Sequence, residues 1–421
     1  MTRSVPGRMG AAILAALSVC AQVGRAQSAA GRVGAHAVLA YDRVSPVPGG
    51  DGMGELRVVQ PALMAHASLL GDRLRFAGML DFEGATMPGG QLAPGAFGEG
   101  YVDRRHPHTY AHELMLSGVL SFAAGRAGAS LSAGKGFAPF GTDDPMSRPV
   151  LRYPVNHHFA QLLERAVAIG AARYRGLIVE GALFNGDEPE EPSQWPRLSR
   201  FGDSWSVRAT ARAALGVELQ ASFAHVASPE HRDGAGTPQR KWSASARFDR
   251  GFGSARAYAM AEWARTSESD GLFVFTSLLG EAGWAPGRHS AYYRFERTER
   301  PEEERTLDPF RSVRPHHDNS VFGRSRWAIH TAGIATEIAW EGMPVRIGPI
   351  LEFSVGRVTS LTPASFDPAS FYGSETFWSL SAGVRVGWGA RLHRMGRYGV
   401  AAEEGGTSGA HSHRMVTQDD T

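Results

Sequence analysis

The sequence has one cysteine in 421 residues, Cys20. It lies in an N-terminal stretch that reads as removable, so the mature chain would carry none. That excludes disulfides, thiolate metal sites and cysteine nucleophiles. Charge of a single sign is also missing: 44 Lys and Arg face 42 Asp and Glu. With no basic, aromatic-laced patch, nucleic acid is not an expected partner. Beyond the N-terminus there is no run of ~18 apolar residues, so no transmembrane helix is expected. Gly-x-Ser-x-Gly, His-Glu-x-x-His and a phosphate-cradling glycine loop are all absent, and no enzyme activity is expected.

The front of the chain is informative. Arg3 and Arg8 supply positive charge, Met9 to Val19 is a short apolar run, and Gly24-Arg25-Ala26 offers small residues for cleavage. This pattern predicts a secretory signal over residues 1–26; the alternative is a buried N-terminal helix. Val19 before Cys20 argues against lipidation.

Beyond the signal the dominant period is two. Trp205, Val207, Ala209 and Ala211 alternate with Ser206, Arg208, Thr210 and Arg212. Val217, Leu219, Ala221 and Phe223 alternate with Glu218, Gln220 and Ser222. One face is apolar and the other polar, as a strand between two solvents requires. The pattern predicts sixteen strands near 33–42, 57–70, 73–84, 112–123, 127–137, 164–173, 177–184, 204–213, 217–226, 241–250, 254–266, 272–284, 288–299, 327–340, 345–359 and 376–388, with fourteen to eighteen as the range. Around Gly333 the alternation slips, which suggests a bulge there. Short glycine-bearing turns such as Gly71-Asp72 and Gly251-Phe252-Gly253 alternate with long polar loops such as 85–111 and 138–163. This predicts an all-β, antiparallel, up-and-down transmembrane barrel over 27–392, with short periplasmic turns and long extracellular loops. Residues 393–421 turn polar and glycine-rich and are expected to form a disordered tail.

A soluble sandwich would alternate as well. Aromatics at strand ends favour lipid instead: Tyr41, Trp205, Trp242, Trp263, Trp284, Trp327, Trp340, Phe377 and Trp388 would form belts at the headgroups. The expected location is the outer membrane of a Gram-negative cell, with its lipid as a partner.

The third long loop contains Gly136-Phe137-Ala138-Pro139-Phe140-Gly141-Thr142-Asp143-Asp144-Pro145. Here the chain resembles the bacterial porin superfamily of sixteen-stranded barrels, whose third loop folds into the pore and often carries Pro-Glu-Phe-Gly-Gly. This loop has Pro139-Phe140-Gly141, without the glutamate. The resemblance implies a water-filled lumen that passes small hydrophilic solutes or ions, in a homotrimer and without a cofactor. It also implies a constriction with Asp143 and Asp144 facing arginines, for which Arg208, Arg212, Arg256 and Arg294 are the candidates. The alternative is that the two aspartates only cap a turn.

Histidines form the other cluster. His106, His108 and His112 lie in His-Pro-His-Thr-Tyr-Ala-His-Glu, and His157-His158 lies in the third loop. Histidines one residue apart point the same way on an extended chain and could share a divalent transition metal. Either these side chains are merely solvated, or the protein binds or imports such a metal.

Overall fold

Alternation becomes architecture through closure. The computed structural model describes residues 31–45, 53–87, 108–142, 145–229, 231–303, 321–391 and 394–402. The strands are β1 (Gly31–Ser45), β2 (Met53–Leu69), β3 (Leu74–Asp81), β4 (Ala111–Phe122), β5 (Ala127–Gly136) and β6 (Arg165–Tyr174). They continue with β7 (Leu177–Phe184), β8 (Ser204–Arg212), β9 (Val217–Val226), β10 (Gln239–Phe252), β11 (Ala255–Glu268) and β12 (Phe273–Pro286). The last are β13 (His289–Glu303), β14 (Val321–Thr336), β15 (Ile338–Ala339), β16 (Val345–Ser360) and β17 (Thr376–Gly389). β15 continues β14 along the same partner strand, so the wall has sixteen staves. Each stave pairs antiparallel with its neighbours, and β1 pairs with β17 from Gly34↔Gly389 to Ser45↔Trp378. Closure leaves no sheet edge, the condition for a β wall in hydrocarbon.

The outer face is what lipid requires. Leu120, Leu131, Leu219 and Ile334 are more than half exposed, and Phe353 and Leu278 nearly so. A soluble protein would not leave such a surface uncovered. Trp205, Phe223 and Trp242 stack at 5.3 Å centroid spacing near the loop end, while Phe252 and Trp284 lie near the turn end. The chain is an outer-membrane β-barrel, and no helix of the described residues is long and apolar enough to cross a membrane.

Three expectations need correction. Trp327 and Phe377 do not join the belts: both are fully buried, 5.2 Å apart, in an apolar cluster with Tyr372 inside the loop end. An inward tryptophan also accounts for the phase slip, because pairing of β14 is regular from Ser325 to Ala335 and no bulge falls at Gly333. Gly333 instead makes room for Tyr292, whose ring occupies the space a side chain would need. Last, the tail expected to be disordered is folded over residues 394–402. It turns back inside the wall, with Met395, Tyr398 and Val400 buried. Composition alone could not show this, because the partners are distant: Arg397 reaches Glu218 and Tyr398 reaches Glu113. The predicted signal and residues 403–421 lie outside the described residues.

Candidate functional site

The third loop, between β5 and β6, lies inside the barrel. Its course begins at Gly141, whose φ of +66° suits glycine. A Cβ there would also collide with the carbonyl oxygen of Ala160 at 1.5 Å. The Gly141 N–H donates to Ser222 Oγ of β9 at 3.0 Å, and Gln220 donates to the Gly141 carbonyl. From there the loop crosses to the opposite wall and back.

On one side its seat is apolar. Phe137, Phe140, Met146, Val150, Leu151 and Leu162 belong to a cluster drawn mostly from this side, with Val59 and Met64 of β2, Met79 of β3, Met115 of β4, Val167 and Ile169 of β6 and Phe184 of β7, and reaching Val38 of β1, Val226 of β9, Tyr292 of β13 and Ile350 of β16. On the other side the seat is ionic. Glu352 of β16 accepts from the Leu151 N–H at 2.8 Å, and Glu296 of β13 from the Val155 N–H at 2.7 Å. Glu262 of β11 accepts from Asn156 at 2.9 Å and from the Thr142 hydroxyl. Arg152 pairs with Asp42 at 2.9 Å and with Glu352 at 3.4 Å, while Arg57 holds the other oxygen of Asp42 at 3.0 Å. Arg148 and Arg294 share Glu281, at 3.6 and 2.6 Å. Inward residues from mid-strand, such as Glu262, Ser277, Arg294, Thr331 and Glu352, are at most 4% exposed. At this level the loop covers the inner wall of the lumen that it was expected to narrow.

The predicted arginines are distributed as follows. Arg294 donates to the Arg152 carbonyl, and Arg208 to the Gly141 carbonyl at 3.5 Å, so both reach the loop. Arg208 is also paired two-fold with Glu180 at 2.6 and 2.8 Å. Arg212 pairs with Glu218 and donates to the Ala401 carbonyl of the returning C-terminal segment. Arg256 pairs with Asp249 near the turn end and is half exposed. Asp143 and Asp144 lie outside the described residues. Arg148, Arg152, Glu281, Asp42 and Arg57 were not singled out from the sequence. The two loop arginines could have been, since a charged residue in a loop that enters a pore must find a partner.

The histidines converge at the loop end of the lumen. Asp81, His108 and His112 are buried, with one ligand atom from each mutually within 4.8 Å. His157 of the third loop approaches, its Nε2 3.4 Å from His108 Nε2. The pairing of β3 with β4 shifts register between Met79 and Leu80, where Leu80 faces Ala111 and Met79 faces Glu113. His112 is thus the extra residue of a bulge, a feature that re-aims side chains. Both His112 and Glu113 turn inward. Glu164 closes the cluster with φ +56°, an uncommon conformation for a side-chain-bearing residue. Its carboxylate accepts from the Thr109 N–H at 2.9 Å and meets His112 Nδ1 at 2.5 Å.

Charge is tightly balanced here. Burial opposes protonation of His108, yet hydrogen bonds to Asp81 and Glu83 hold its pKa well above the usual imidazole value. Burial and the Asp81 carboxylate push Glu83 up to about 8. Glu164 is pulled down to about 2: burial acts the other way, and the hydrogen bond and charge of His112 outweigh it. The link of Asp81, Glu83 and Glu164 to the histidines could not be read from the sequence, because nothing local connects them. His106 lies outside the described residues, and of His158 the backbone alone is described.

No family model and no curated protein matches this chain. Solved structures do. An anion-selective porin from Comamonas acidovorans is similar at 11% identity and a TM-score of 0.47, over 85% of this chain and 99% of its own. OmpT, an outer membrane protein of Vibrio cholerae, is similar in a loop L8 deletion mutant at 11% identity and 0.46, over 85% and 100%. OccK2 of Pseudomonas aeruginosa, solved with glucuronate, is similar at 10% identity and 0.39, over 86% and 98%.

Proposed function

We propose that the chain is an outer-membrane porin in which the third loop gates passive diffusion of small hydrophilic solutes or ions. The observation that carries this reading is the chemical asymmetry of the loop's seat. Withdrawal from the apolar side would expose Phe140, Val150 and Leu162 to water. Withdrawal from the ionic side would expose carboxylates and guanidinium groups, which water solvates well. The path therefore runs along β11 to β17, where Glu262, Glu281, Arg294, Glu296 and Glu352 line the wall. Opposed charges across a narrow, low-dielectric-walled passage orient polar solutes. Asp143 and Asp144 would add acidic charge to the loop, and Arg294 and Arg208 are the predicted wall arginines that reach it. No bond-making chemistry enters, and the assembly is a homotrimer.

The test is conductance in planar bilayers. Wild-type protein should give stepwise, ohmic openings, and Arg148→Ala/Arg152→Ala should enlarge them by freeing the loop on the ionic side. Asp143→Asn/Asp144→Asn should move selectivity towards anions. Silence of the wild type and of the arginine variant, with folding verified by heat-modifiable gel mobility, would mean a plugged structural barrel. Native mass spectrometry in detergent checks the trimer.

A further inference from the structure

The geometry points to a resident divalent transition-metal site at Asp81, His108 and His112, completed by His157, which ties the third loop to the barrel wall. The first argument is the donor set. Three imidazoles and one carboxylate suit zinc, cobalt or nickel, and disfavour calcium and magnesium, which take oxygen ligands. Asp81 ends β3, His112 sits in the β4 bulge, and His108 precedes β4 by three residues, so the ligands rest on a rigid base.

One distance fits an ion directly. A tetrahedral ion with zinc–nitrogen bonds of ~2.0–2.1 Å separates its ligand nitrogens by about 3.3–3.4 Å. His108 Nε2 and His157 Nε2 are 3.4 Å apart. The candidate ligand atoms of Asp81, His108 and His112 lie within 4.8 Å of one another, and Asp81 Oδ2 sits 3.3 Å from His108 Nδ1, so an ion at His108 Nε2 would draw the ligands together and move Asp81 off that contact.

The orphan atom is the independent sign. His112 is fully buried; its Nδ1 is engaged by Glu164, and its Nε2 has no hydrogen-bond partner among the described residues. A buried polar atom left unsatisfied needs an explanation. Histidine ligands typically donate one ring N–H to a carboxylate while the other nitrogen takes the metal. Glu164 and His112 stand in that relation. Glu164 is therefore a positioning residue, held by Thr109 and by its own left-handed backbone.

The experiment uses the full chain refolded in detergent, stripped with EDTA, and titrated calorimetrically with zinc chloride. One saturable site per chain is expected. His112→Ala should weaken binding by at least ~100-fold, and Glu164→Gln by about 10–100-fold. His157→Gln changes only the loop and so guards against misfolding of the wall variants; it too should weaken binding about 10-fold or more. Cobalt should give visible absorption bands of tetrahedral intensity that His157→Gln diminishes. Zinc should also slow tryptic cleavage after Arg152, which Tyr153 follows. The other adjacent histidine pair of the sequence, His316-His317, lies outside the described residues and serves as the control: His316→Ala/His317→Ala should bind as the wild type does. No saturable zinc binding, binding untouched by His112→Ala and His157→Gln, or binding abolished by His316→Ala/His317→Ala would each overturn the site. None of these readings depends on conductance, so the site and the channel can fail separately.

Discussion

One loop rests on two unlike surfaces. Towards β2–β7 the third loop packs Phe137, Phe140 and Leu162 into an apolar cluster, as a soluble domain would fill its core. Towards β11–β17 the same loop meets Glu281, Glu296 and Glu352 through backbone N–H groups and arginines, and Glu262 through the side chains of Thr142 and Asn156. Apolar contact depends on excluding water and is lost once water enters. Charged contact trades one hydrogen-bond partner for another. A barrel sealed only for rigidity gains nothing from buried ion pairs, which apolar packing commonly matches or betters in stability. Under the proposed gating, a barrel that opens on one side needs a fixed hinge and a releasable latch, the roles proposed for the two seats.

The strongest test of the contrast is at the hinge. Phe140 is 2% exposed within the apolar cluster. Phe140→Ala should destabilise the fold by about 3–5 kcal/mol through lost contact and a residual cavity. The measurement is urea unfolding in lipid bilayers, followed by tryptophan fluorescence. Single-channel steps should become noisy without settling at a larger conductance. A stable, uniformly wider channel would mean that the apolar side is no hinge.

The latch should give a smaller energy and a larger functional effect. Arg152→Leu removes the cation between Asp42 and Glu352, leaving Arg57 on Asp42 and the Leu151 N–H on Glu352. With those partners kept, the cost should be about 2–3 kcal/mol, the range for losing a charged hydrogen bond in a buried site. Open-state conductance should rise in the same variant. Greater loss of stability than at Phe140, with unchanged conductance, would reverse the roles of the two sides.

The two seats were unequally visible in the sequence. The wall was legible because alternation and glycine turns are local properties, and β7 falls on 177–184 and β9 on 217–226 as read. The Pro139-Phe140-Gly141 run marked the loop as special, and the loop turns into the lumen at Gly141 with a positive φ. The ionic seat was not legible. Arg152 and Asp42 are 110 residues apart, and Leu151 and Glu352 are 201 apart. Pairings at such separations depend on barrel closure, which no local pattern encodes. The histidine cluster was half legible: density in histidine flagged His108, His112 and His157, but the β4 bulge that turns His112 inward leaves no local signature. Trp327 misled for a related reason, since an aromatic at a strand end fits a lipid belt and an inner cap equally well.

The smallest effect is expected where an ion pair has the same geometry but no seat to hold. Arg208–Glu180 and Arg256–Asp249 are both two-pronged, with shortest contacts of 2.6 Å. The Arg208 side chain is 1% exposed and that of Arg256 is 55% exposed. Water screens the second pair and already solvates its guanidinium, so Arg256→Gln should cost less than about 1 kcal/mol. Arg208→Gln should cost several times as much, because it leaves buried Glu180 only the longer 3.9 Å pairing with Arg397 and releases the Gly396 carbonyl of the returning C-terminal segment. Arg256 faces the turn-end vestibule, where a channel still feels its charge, so Arg256→Gln should shift ion selectivity towards cations while leaving the unfolding midpoint almost unmoved. Equal destabilisation by the two substitutions would show that burial does not set the worth of these pairs. The division between a held seat and a releasable one would then lose its energetic basis.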